Sequence, residues 1–273
     1  MSSSAPGSKP PPDRSRRSRK RRSILPWPFI LDVMTFAAWG TLLVHHWLTG
    51  KLNLLIHPNY HWLVVATGTV LLVIACLRLL QMVQLRRQGR SLMPAGNHVS
   101  LFPRYWSGIL LLTAAIAGLS IAPRAFTSQT AIQRGVSDFL PPTRSQPQAF
   151  RSASRPEERT LVEWVRTLSV YPDPDTYVGQ KVNVIGFVVY PPNNQLPEEY
   201  FLLSRFVVTC CAADAYPVGL PVKLTENRKA YPPDTWLEVA GQMIAEERGG
   251  NRQLTIQASA LKKVPQPEKP YEY

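Results

Sequence analysis

In the stretch "RFVVTCCAADAYPVGLPV", residues 205–222, two adjacent cysteines are followed three residues later by an aspartate. Thiolates and carboxylates are metal ligands, and Cys210, Cys211 and Asp214 supply three of them if the strand ends at the pair and the "AADAYP" turn folds back. Three protein ligands with an open position suit the transient handover of a soft transition metal or an oxyanion better than a structural site. The same residues admit plainer readings. Strand alternation places Phe206, Val208 and Cys210 on one face, which makes Cys210 a small core hydrophobe and turns Cys211 outward. A vicinal disulfide requires a strained eight-membered ring and ranks below the reduced pair. Asp214, three residues before Pro217, can cap its own turn through a side-chain oxygen.

The region from residue 151 onward contains no histidine to complete such a site. Four of the five histidines, His45, His46, His57 and His61, fall within "VHHWLTGKLNLLIHPNYHW", residues 44–62. They form a second candidate metal-capture set, against the simpler reading of amphipathic residues at a membrane edge. Asp32 reads as a snorkelled carboxylate and Cys76 as a small packing residue.

These residues are positioned by two contrasting halves. Three apolar runs, near 28–48, 61–83 and 105–122, predict three transmembrane helices, since about 20 apolar residues cover the hydrocarbon of a bilayer. The third is barely long enough. Trp27, Trp47, Tyr60, Trp62, Tyr105 and Trp106 fall at the run ends, where amphipathic rings favour the headgroup zone. The net charge of +13 lies wholly in this half: residues 1–150 hold 17 basic and 3 acidic residues, and residues 151–273 hold 14 and 15. Eight of the basic residues crowd into 9–22 and four into 78–90, whereas the segment between the first two runs offers only Lys51. That asymmetry predicts a disordered, cytoplasmic basic arm over 1–27, a membrane domain over 28–123, and everything beyond it extracytoplasmic. The arm lacks interleaved aromatics, so contact with anionic lipid, not nucleic acid, is the expectation for it.

Residues 124–156, rich in Pro, Ser, Gln and Arg, read as a flexible linker. A short amphipathic helix follows, with Leu161, Trp164, Val165 and Leu168 at helical spacing. The period then changes to two. Runs at 181–190, 200–211, 221–224, 236–247 and 253–264 predict five strands, with Gly186 and Gly241 where a small barrel must bend. The fold class expected is therefore a membrane α-helical N-terminal half plus an all-β, OB-like C-terminal domain over 157–266, ending in a tail over 267–273. An open β-sandwich fragment is the alternative.

The segments "APRAFTSQTAIQRG", "GQKVNVIGFVVYP", "RFVVTCCAADAYPVGLPV" and "WLEVAGQM", in this order behind closely spaced helices, resemble a bacterial family of uncharacterised membrane proteins described as permease subunits. The resemblance covers most of residues 28–264 and centres on the Cys-Cys-x-x-Asp segment. It implies helices followed by an OB-like domain, and a polytopic membrane permease as partner. No activity follows from it. The chain also lacks a nucleophile elbow, a phosphate loop and a zinc-protease motif, so a non-enzymatic role is expected. The implied function is an integral membrane accessory subunit of a permease whose outer domain handles a metal or other small solute, with a transiently bound transition metal the only cofactor suggested. The alternative is a membrane-anchored thiol or metal sensor acting without a transporter.

Overall fold

The structure, a computed structural model, describes residues 27–88, 106–136, 155–192, 196–248 and 250–273. The basic arm up to residue 26, most of the 85–104 loop and the later part of the linker lie outside the described residues.

Two helices, α1 (Trp27–Leu48) and α2 (His61–Arg87), are long and apolar enough to cross a membrane. The third, α3 (Trp106–Ser120), has 15 residues and a length of about 22 Å, so the expectation of three full spans is corrected to two. α1 packs against both α2 and α3 through small residues. A Cβ on Gly40 of α1 would approach Leu72 Cγ to 2.7 Å and the carbonyl oxygen of Gly68 to 2.9 Å, so α1 and α2 cross where both can come close. On the other flank Gly108 faces Leu31 and Gly118 faces Leu42, which sets α3 parallel to α1. Trp39 of α1 donates from Nε1 to the Leu111 carbonyl at 3.0 Å and strengthens that contact.

The linker region is not featureless. Helix α4 (Ser128–Arg134) forms within it and buries Ala131 completely, and Gly135 at φ 73° ends the helix in the left-handed region. Helix α5 (Leu161–Val170) starts with a reciprocal cap, in which Thr160 accepts from the Glu163 amide while Glu163 accepts from the Thr160 amide. Its buried face holds Leu161, Trp164, Val165 and Leu168, the helical spacing read from the sequence, together with Val162.

The C-terminal half is a six-stranded sheet: β1 (Lys181–Val189), β2 (Tyr200–Val207), β3 (Tyr216–Lys223), β4 (Trp236–Arg248), β5 (Asn251–Lys263) and β6 (Tyr271–Glu272). The order is β1-β4-β5-β3-β2-β6, and β1 also pairs with β2, so the ladder returns to its first strand. All pairings are antiparallel except β3 with β5 and β2 with β6. A register shift between Ala240 and Gly241 leaves Ser259 as an extra residue on β5, which bends there beside β4, and a side chain at Gly241 would run into the backbone of Gln257.

Strand β3 starts five residues earlier than the "PVKL" run suggested. Pro217 and Pro221 are tolerated because, short of Val222, β3 has a neighbour on one edge only, namely β2. The segment expected as a tail, 267–273, instead carries β6, which pairs in parallel with the end of β2 and buries Tyr271.

The main core joins α5 to the inner faces of β1–β5, with Phe201, Leu220, Leu237, Met243 and Ile256 fully buried. A second apolar cluster gathers Phe187, Val189, Phe206, Val208 and Tyr271 with Ala131 of α4. Leu54 and Phe126 pack against it, so this cluster is where the sheet meets the α1–α2 loop.

Candidate thiol and carboxylate site

Strand β2 stops at Val207, and the reason lies in Asp214. Its carboxylate accepts from the amides of Thr209 (3.3 Å), Cys210 (2.7 Å) and Cys211 (3.3 Å), removing all three from any strand ladder. Ala212–Asp214 then form a single 3-10 turn capped at Cys211, whose backbone carbonyl accepts from the Asp214 amide at 3.1 Å. The capping role read for Asp214 is therefore real. It is exerted through both carboxylate oxygens.

The bend overturns the strand alternation expected for the cysteines. Cys210 is exposed and Cys211 half-buried, so Cys210 is no core residue. Both are free thiols, with Cys210 Sγ 3.7 Å from Cys211 Sγ. Candidate ligand atoms of Cys210, Cys211 and Asp214 all lie within 4.8 Å of one another, and no other such group occurs among the described residues.

Electrostatics within the turn are mutually consistent. The hydrogen bond to Asp214 and then that to Cys211 push the Cys210 thiol up to about 12, so it is protonated. Burial raises the Asp214 carboxyl, but the Cys210 thiol and the three amides outweigh it and hold the group below its usual 3.8. Because the folded value is depressed, the contribution of Asp214 to the turn is present above pH 3.8 and is lost as pH falls through the lower folded value. Hydrogen exchange of Thr209, Cys210 and Cys211, corrected for intrinsic rate, should therefore show protection at pH 7 that disappears in strong acid before the sheet itself opens.

The loop between α1 and α2 holds the outer side of the turn. Ile56 and Cys211 form an isolated antiparallel bridge, the His57 amide donates to the Cys210 carbonyl at 3.0 Å, and the Ala212 amide donates to the Leu55 carbonyl at 2.7 Å. The four histidines do not join the thiol cluster. His45 and His46 sit at the end of α1 with ring centroids 5.9 Å apart, and His46 is buried. His61 Nε2 lies 3.1 Å from the Ile56 carbonyl oxygen. His57 Nδ1 accepts from the Asn59 amide, and its ring meets Tyr273 edge-on at 4.7 Å. Burial, then His61, lower the imidazole of His57, while the charge of Asp214 pulls it back up.

One buried charge was missed by sequence reasoning. Arg205, 8% exposed, lies 5.1 Å from the Trp236 ring centroid and 3.3 Å from Glu272 Oε1. The charged residue inside the apolar "SRFVV" run was the available signal, and its partner lay in the segment read as a tail.

A helical N-terminal half carrying a β domain with a cysteine pair, one member exposed and the other half-buried, is the class of protein these features define. Residues 157–273, the sheet domain with α5, match the DUF1980 C-terminal domain, a family of uncharacterised function. No curated protein and no solved structure matches the chain.

Proposed function

We propose that the chain is an integral membrane accessory subunit of a permease, without enzymatic activity of its own, whose β domain is an OB-like barrel seated on the extracytoplasmic end of its helices. The observation that carries this reading is α2. With the turn that precedes it, it forms an apolar stretch of 28 residues, Pro58–Leu85, yet only 11% of the most apolar window is buried within the chain. A helix so apolar and so little covered needs lipid or other helices around it.

The docked loop supports the rest. Because residues 55–57 bond to the β domain, the domain lies at the end of the bundle where α1 finishes and α2 begins. α3, 15 residues long and running parallel to α1, leads the chain back toward that end. The charge asymmetry of the flanks supports an extracytoplasmic position for this end. The strand ladder, which returns from β2 to β1, supports the reading of an OB-like barrel. The permease as partner rests on the family resemblance.

Purification of the tagged chain from native membranes in mild detergent tests the reading. A polytopic permease in stoichiometric amount is the expected result, and a chain that is always recovered alone overturns it.

A further inference from the structure

The local hydrogen bonds at positions 210 and 211 do not require sulfur, since a hydroxyl could make the one between Cys210 and Asp214. Cys210 is exposed, so its side chain contributes little packing, and the turn is already held by the Asp214 carboxylate. The cap at Cys211 uses its backbone carbonyl, which accepts from the Asp214 amide at 3.1 Å and does not depend on the side chain. Adjacent side chains of a regular strand diverge, yet here the bend brings the two sulfurs to 3.7 Å. Two thiolates each about 2.3 Å from one tetrahedral zinc ion stand roughly 3.8 Å apart.

We propose that Cys210, Cys211 and Asp214 bind one thiophilic divalent cation of the zinc type, with the fourth coordination position open to solvent. The ion replaces the proton that Cys210 shares with Asp214. Two thiol protons leave to solvent, and two thiolates, one carboxylate and one dication give a site of net charge minus one. The carboxylate can serve without releasing its amides: Oδ1 accepts from Thr209 and Cys211, Oδ2 from Cys210 alone among the amides, which leaves Oδ2 a lone pair for the ion.

The loop preorganises this site, because its bonds to the Cys210 carbonyl, the Ala212 amide and the Cys211 bridge fix the backbone on both sides of the sulfurs. An exposed three-ligand site suits capture and release better than permanent retention. The inference goes beyond the accessory-subunit reading and stands whether or not a permease is bound.

The test uses the full chain in detergent, reduced and stripped of metal, titrated with cadmium(II) alone while the near-ultraviolet sulfur-to-cadmium charge-transfer band is followed. A band that saturates at one equivalent and is reversed by zinc(II) is expected. Cys76→Ser should leave it unchanged. Cys210→Ser and Cys211→Ser should each remove the one-equivalent saturation, and since serine keeps the local hydrogen bonds, unaltered thermal melting of both variants shows that the fold is intact. No band at one equivalent, or a one-equivalent band that survives in the double variant Cys210→Ser, Cys211→Ser, overturns the proposal.

Discussion

Trp164→Ala should cost the β domain about 4 kcal/mol, a drop in melting temperature on the order of 15 °C for a domain of this size. Trp164 is fully buried on α5, meets Tyr177 edge-on with centroids 6.0 Å apart, and has the Arg159 guanidinium 4.9 Å from its ring centroid. Truncation leaves a cavity between helix and sheet that a ten-residue helix cannot close without losing its seat. Trp164→Phe makes the argument sharper. The indole N–H has no hydrogen-bond partner among the described residues, so phenylalanine keeps an aromatic body and sacrifices no bond. Its cost should stay below about 1.5 kcal/mol. Thermal unfolding followed by circular dichroism separates the two variants, and equal losses would show that the indole is held by something other than packing.

The second large effect belongs to the ion pair between buried Arg205 and half-buried Glu272. Removing one partner of such a pair leaves the other charge uncompensated, so Glu272→Ala should destabilise the domain by about 3 kcal/mol. Burial already disfavours the charged form of Arg205, and Glu272 is what opposes that penalty. Neither Nε nor Nη1 has an aligned hydrogen-bond acceptor among the described residues, which makes the carboxylate charge the main compensation. Glu272 also accepts from the Thr160 hydroxyl at 2.6 Å, so its loss loosens the cap of α5. Adding Arg205→Met to Glu272→Ala should recover more than half of the loss, because an apolar side chain of similar length then lies against Trp236. Chemical denaturation of the two variants beside the parent chain measures both numbers. A double variant no more stable than Glu272→Ala would refute the uncompensated-charge account.

Much of this architecture was legible because the period of the apolar residues changes sharply near residue 180. Long apolar runs gave α1 and α2 their place, and alternation located β1, β4 and β5 to within two or three residues at either end. Hidden features were of two kinds. Strand β3 contains two prolines, and only the pairing around it reveals that their missing amides face an unpaired edge. Helix α4 and strand β6 are too short to show a period, and each forms because a few apolar side chains find the second cluster. The cysteine pair was visible as a motif, but its geometry was not. Alternation extrapolated through Cys210 fails because an aspartate further along takes the amides that a strand would have used.

The tie between the α1–α2 loop and the β domain also orders events during synthesis. Its partners are remote in sequence; the Tyr273 hydroxyl and the Asn53 carbonyl oxygen that it meets at 3.4 Å are 220 positions apart. A chain made from its N-terminus delivers both long helices and their connecting loop well before β5 exists to complete the strand ladder. The loop must therefore wait, uncovered, for a domain that folds after it. Contacts with so large a separation are made last, when the remainder is already in place, and they are poor candidates for a folding nucleus. Substitutions in residues 51–60 should consequently change how fast the seam opens while scarcely altering how fast the sheet forms.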